Sequence, residues 1–285
     1  MSLPGLGLSA APASSTEPKL PSQHAVAASS EWRFEVAHGE SIQVKILSGD
    51  AEIFGTELAP QQAYTFSGTK AAIYTWRGAR IEVTGDCQVD YVAEETPVTT
   101  YANLHFALEN QRTQASGGTG QGPRVLVVGP DNVGKTSLVK FLTGYAQRSG
   151  WQPLVVNLDP KEGMLTIPGT LSAASFTSII DVEEGWGSSP TNGPTPVPVK
   201  TPLVYHYGLA DAEEDPEHFK PVAARLALSV RSRLSEDNDA RQAGSIIDTP
   251  GSISQGKRSY NIIQHLIVEF AGELAYSYSS AAQKD

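Results

Sequence analysis

The sequence predicts an α/β domain built on a parallel sheet with flanking helices, preceded by a small all-β sandwich. Residues 31–93 alternate apolar and polar positions in short pieces, with turn residues between them. A β-branched run, a glycine-rich loop and a helical pattern follow one another over residues 124–148. The glycine-rich stretch 116–122 separates these two patterns, and 285 residues leave room for two domains. The expected division is a disordered tail at 1–28, a sandwich at 29–98 and a connecting helix with linker at 99–122. An α/β domain at 123–274 and an irregular tail at 275–285 complete it.

Composition removes several function classes. The net charge is −10, from 21 basic and 31 acidic residues. Neutralising a phosphate backbone requires clustered Lys and Arg, so gripping nucleic acid by overall charge is disfavoured. The single cysteine, Cys87, precludes a disulfide framework and argues against a thiolate metal site. The six histidines are scattered, without zinc-ligand spacing. No run of 18 apolar residues is present, and the N-terminus lacks the basic and apolar stretches of a secretory signal. No membrane association is therefore expected.

In chain order, the first 28 residues are rich in Ala, Ser and Pro and read as a tail. Short strands follow around Trp32, Phe34 and Val36, then Ile42, Val44 and Ile46. Tyr64 and Phe66, Ile81 and Val83, and Val89 and Tyr91 mark three more. Tyr101, Leu104 and Leu108 share one face of a helix over 100–111, with Thr99 or Thr100 as its cap. Arg124–Val128 and Pro153–Asp159 read as buried strands, and Pro168-Gly169 as a turn. Gly185–Pro202 is a Pro/Gly/Ser-rich loop in which Trp186 is an anchor or a stacking platform for a base. Leu203–Tyr207 is a strand, Pro216–Leu234 a helix, Gly244–Asp248 a strand and Tyr260–Phe270 a helix. The chain then stops where another strand would follow, so the sheet is expected to be incomplete at its C-terminal side.

The stretch Gly129-Pro-Asp-Asn-Val-Gly134-Lys135-Thr136 is the P-loop pattern, in its required strand–loop–helix context. Two glycines allow successive N–H groups to point into one concavity, and the helix start adds positive potential. Lys135 would meet the outer phosphates, and the Thr136 hydroxyl a magnesium ion. Asp159 and Asp248 both end apolar strands, so both should face the ligand crevice. Asp248 fits the carboxylate that holds magnesium, and Asp159 a general base.

On the P-loop together with Ala51–Leu58, Ile167-Pro-Gly169 and Asp181–Gly185, the chain resembles the Clp-type mRNA 3′-end-processing factors. These are relatives of the polynucleotide 5′-hydroxyl kinases. Asn157–Pro160 and Asp248-Thr-Pro250 are similar to the fungal branch. The resemblance implies a β-sandwich, a P-loop domain and a small C-terminal domain, with ATP between the first two. It places Glu31 and Lys70 against the adenine; from composition alone each passes for a solvated charge. It wraps Asn132, Val133, Gly134, Lys135, Thr136 and Ser137 around the phosphates.

The resemblance also implies a nuclear subunit of the pre-mRNA cleavage factor, required for cleavage and polyadenylation. That subunit bridges to a scaffold subunit which binds the polymerase II tail, and it reaches pre-mRNA through the complex. Two departures bear on activity. Pro160-Lys-Glu-Gly163 replaces the glycine–glutamine–glycine turn of the kinases, and the chain ends before any arginine-bearing lid. It therefore reads as a C-terminally shortened member that holds ATP as a structural ligand. The alternative is an active RNA 5′-hydroxyl kinase in which Lys135 and Thr136 bind ATP and magnesium and Asp159 activates the hydroxyl. No N-K-x-D guanine signature is present, which counts against a GTPase.

Overall fold

The structure, a computed structural model, describes residues 20–118, 120–177, 180–183, 202–251, 257–270 and 274–277. Nine strands form the sandwich: β1 Ser22–Val26, β2 Ser30–Glu35, β3 Ser41–Gly49, β4 Glu52–Ile53, β5 Thr56–Glu57, β6 Ala63–Ser67, β7 Lys70–Thr75, β8 Ala79–Thr84 and β9 Val89–Ala93. One sheet has the order β1-β8-β3-β6 and the other β5-β4-β7-β2-β9, and every pairing is antiparallel. The period-two pattern does what it predicts: Ile42, Val44 and Ile46 of β3, with Ile81 of the neighbouring β8, meet Trp32, Phe34 and Ile73 of the other sheet in one core. The expected tail at 1–28 is corrected at its end. Ser22–Val26 is a strand paired with Ala79–Val83, although only Val26 of the five is fully buried.

Helix α1 (Val98–Ser116) joins the two parts. It begins before the expected caps at Thr99 or Thr100. Pro97 stands at the cap position, and the Thr96 hydroxyl accepts from Val98 N at 3.3 Å.

The second part has β10 Arg124–Val128, α2 Lys135–Arg148, β11 Leu154–Asn157, β12 Thr170–Ser175 and β13 Leu203–His206. α3 Pro216–Glu236, α4 Asn238–Ala243, β14 Ser245–Asp248, α5 Lys257–Phe270 and β15 Leu274–Ser277 follow. The sheet order is β13-β12-β11-β14-β10-β15. β11, β14, β10 and β15 run parallel, but β12 is antiparallel to both β11 and β13. The sheet is therefore mixed: the expected parallel sheet is present in β11, β14, β10 and β15, and β12 runs against its neighbours. β12 itself was not expected: Thr170-Leu-Ser-Ala-Ala-Ser175 is small and buried on both faces, so it carries neither alternation nor a β-branched run.

β15 corrects the irregular tail set at 275–285 and the expectation that no strand follows the last helix. The predicted loop at 185–202 and Trp186 lie outside the described residues, apart from Pro202.

Alternate residues of the central strands supply two cores. Val125, Val127, Val155 and Ile246 meet Leu138, Leu142 and Leu108 from α2 and α1. Leu126, Val156 and Ile247 meet Leu226, Val230 and Leu266 from α3 and α5. The central strands are thus buried on both faces, and their carboxyl ends open at one edge of the domain.

Candidate functional site

The loop after β10 turns through two left-handed residues, Asn132 at φ 61° and Gly134 at φ 89°. Alternating handedness of this kind aims neighbouring N–H groups into one hollow. Helix α2 starts at the next residue, so its unpaired N-terminal amides extend the same donor surface. Lys135 is buried, and its ammonium donates to Pro130 O at 2.9 Å across the loop.

Register brings the carboxylates to this loop. Asp248 ends β14 and lies opposite Val127 of β10 on one side and Asn157 of β11 on the other. The Thr136 hydroxyl lies 2.6 Å from Asp248 Oδ2 and 2.8 Å from Glu162 Oε2. Asp248 is 1% exposed, and its second oxygen, Oδ1, is buried without a hydrogen-bond partner. Burial pushes its carboxyl up to about 7, against the Thr136 hydrogen bond and the Lys135 charge. Burial likewise lifts Asp159 to about 6, although Lys161 N donates to its Oδ1 at 3.0 Å. A hydroxyl, a buried carboxylate with an unsatisfied oxygen and a phosphate-shaped loop beside them fit a magnesium ion. Mg²⁺ is commonly held by one or two carboxylates plus phosphate. Thr136 and Asp248 would hold it, and it would supply positive charge beside the phosphates.

A cavity of about 510 Å³ lies between the sandwich and the P-loop. The sandwich gives it Glu31, Arg33, Glu35, Lys70, Tyr74 and Tyr91, and the loop and α2 give Asn132, Val133, Gly134 and Ser137. Of the eight residues expected at the cofactor, six line this space. Lys135 and Thr136 are not among its lining residues; they lie in the same loop and helix start, on the contacts given above. Glu31 is not a solvated charge. It is 4% exposed and accepts from Arg33 Nε at 2.6 Å and from the Thr96 hydroxyl at 2.8 Å. Lys70 is largely solvent-exposed and pairs with Glu35 at 2.8 Å.

Sequence reasoning missed Tyr101, Tyr74, Glu52 and Phe141, which also line the cavity. Tyr101 was legible only as a core position of α1, because helical spacing does not say which buried face meets a ligand. It also missed Glu162, whose carboxylate reaches Thr136 because Asn157 organises the intervening turn. The Asn157 amide donates to Glu162 O at 3.0 Å and to Asp159 O at 3.2 Å.

Comparison with known proteins agrees with this architecture. The profile of the N-terminal β-sandwich domain of polyadenylation factor matches residues 25–115. The P-loop profile of mRNA cleavage and polyadenylation factor CLP1 matches residues 129–280. The chain is 59% identical over 277 residues to mRNA cleavage and polyadenylation factor clp1 of Botryotinia fuckeliana, covering 95% of this chain and 59% of that one. Against CLP1 of Coccidioides immitis the identity is 55% over 295 residues, covering 95% and 52%.

Among solved structures, a wild-type Clp1p–Pcf11p complex superposes at TM-score 0.83 with 32% identity, covering 93% of this chain and 61% of that one. Another is described by an extended Pcf11p–Clp1p interface and the basis of ATP loss in a point mutant. It gives TM-score 0.82 at 32% identity, covering 92% and 62%. The chain thus spans somewhat over half the length of the curated relatives it matches. With both folded parts matched, it belongs to the CLP1 family of mRNA cleavage and polyadenylation factors.

Proposed function

We propose that this chain is the nucleotide-holding part of a pre-mRNA cleavage factor subunit, acting in cleavage and polyadenylation at mRNA 3′ ends. It binds ATP with magnesium between the sandwich and the P-loop domain and keeps it as a structural ligand. The observation that carries this is the cavity of about 510 Å³ with a phosphate-binding loop on one wall and Glu31 and Lys70 on the other. Its volume lies within the common range for small-molecule and cofactor sites. A ligand bound only by the folded, docked state stabilises it by about 2.7 kcal/mol at ~100 times its Kd.

Retention rather than turnover is supported by where the arginines sit. Phosphoryl transfer depends on cations at the transferring group. Arg148 pairs with Glu52 and Glu57, Arg231 with Glu269 and Arg233 with Asp237. Among the described residues, Arg33 is the arginine that lines the cavity, and it is engaged with Glu31.

The solved Clp1p complexes with Pcf11p support an assembly role, in which this subunit meets a scaffold subunit that binds the polymerase II tail. Pre-mRNA would then be reached through the complex, in the nucleus.

One observation favours the alternative, an RNA 5′-hydroxyl kinase: Asp159, raised to about 6 by burial, has a basicity suited to accept a proton near neutral pH. A single preparation decides. The purified chain is expected to carry ATP by mass spectrometry and to leave a 5′-hydroxyl RNA unphosphorylated. Rapid ATP-dependent phosphorylation establishes the kinase instead.

A further inference from the structure

Thr136 has one hydroxyl proton, yet carboxylate oxygens of two residues lie within 2.8 Å of it. With both carboxylates ionised, one of those contacts is oxygen against oxygen with no proton between. Asp248 Oδ1 adds a buried acceptor with no donor. Asp159, 5% exposed, contributes a third carboxylate at the same strand ends.

The cations nearby do not balance this charge. The Lys135 ammonium donates to Pro130 O. Lys161, adjacent to Glu162, is drawn away to Asp131 at 3.3 Å and Asp211 at 2.9 Å. Lys140, one turn along α2, feels Glu162 and Asp248 but lies over the Phe54 ring at 5.3 Å. Three carboxylates thus face two ammonium groups where a triphosphate would end.

We propose that Glu162 is a specificity residue for the metal-bound form of the nucleotide. Its carboxylate shares the Thr136 hydroxyl with Asp248. A divalent cation placed there satisfies both carboxylates and the orphaned oxygen. A metal-free triphosphate brings further negative charge against Glu162 and is rejected. This rests on the nucleotide-binding reading above and sharpens it: the ligand is the metal–nucleotide complex, and discrimination comes from repulsion as much as from attraction. Asn157 and the Lys161 ion pairs hold the turn that presents Glu162.

The test is calorimetric titration of nucleotide-stripped chain with ATP, once in excess Mg²⁺ and once in EDTA, for the parent and for Glu162→Gln. Glu162 is exposed, so the nearly isosteric change leaves the fold intact. Glu162→Ala serves as a second variant. The parent is expected to bind far more tightly with magnesium. In Glu162→Gln the ratio of the two affinities should fall about tenfold, chiefly because metal-free ATP binds better once one charge is gone. Glu217→Gln, an exposed carboxylate on α3, should leave the ratio unchanged. An equal ratio in the parent and both Glu162 variants overturns the role of Glu162 while leaving nucleotide binding intact. A parent that binds ATP in neither condition overturns the nucleotide reading, and this inference with it.

Discussion

Lys135 is a cation with little solvent around it, lying across the loop it serves. Charge-assisted contacts to phosphate are worth about 1.5–3 kcal/mol. Lys135→Ala should therefore weaken Mg·ATP binding by about ten- to a hundredfold by calorimetry. Unchanged affinity would contradict its phosphate role.

A second residue makes a pH prediction away from the site. His105 on α1 is 2% exposed against the Tyr145 ring, and burial, with the Arg112 charge adding, lowers it to about 4. Its unfolded value is 6.5, so the unfolded chain binds the proton first. The stability it contributes is present above pH 6.5 and is lost as pH falls through 4, by at most about 3 kcal/mol. Urea denaturation at pH 7 and pH 4 should show this loss reduced in His105→Gln relative to the parent.

At this scale the sequence was uneven. Lys135, Thr136 and Asp248 were legible, because loop chemistry and a strand-ending carboxylate have local signatures. Glu31 was legible only through resemblance. Its burial depends on Arg33 and on Thr96, which is 65 residues away in the chain, and no local pattern encodes that.

The hairpin of β4 and β5 docks the sandwich against α2. Its two turn residues, Phe54 and Gly55, have φ of 47° and 83°, the left-handed pair of a tight hairpin turn. Glu52 on this hairpin accepts from the Tyr145 hydroxyl at 2.6 Å and from Arg148 Nη1 at 2.8 Å, both on α2. The approach is close because α2 carries Gly144 there: a Cβ at that position would stand 2.3 Å from Phe54 O. Gly144→Ala favours the isolated helix by up to about 1 kcal/mol, but overpacking costs about 1–3 kcal/mol. We expect a net loss in the urea midpoint and weaker Mg·ATP binding, since Phe54 and Glu52 also line the cavity. A raised midpoint with unchanged binding would show that the contact is not tight.

Elements with strong period were read correctly, as with β3 and α3. β12 and β15 were not. Each is a four- to six-residue strand of mostly small or mixed side chains, specified by the strands it pairs with rather than by its own pattern.

For the whole molecule, the two domains are the two walls of one site. The P-loop and α2 line it with Asn132, Val133, Gly134 and Ser137, while the sandwich lines it with Glu31, Tyr74 and Lys70. Helix α2 runs from the phosphate loop to the hairpin contact, starting at Lys135 and ending at Arg148. Nucleotide occupancy and domain docking should therefore be one linked equilibrium. Magnesium with ATP should raise the thermal midpoint of the parent, and do so less in Gly144→Ala.

The central claim, that a nucleotide is held by both domains at once, is tested most directly by amide hydrogen exchange of the chain with and without Mg·ATP. Added protection is expected on both walls, over residues 31–35 and 70–74 as well as over 132–141. Protection confined to the P-loop side, or none on either, would contradict it.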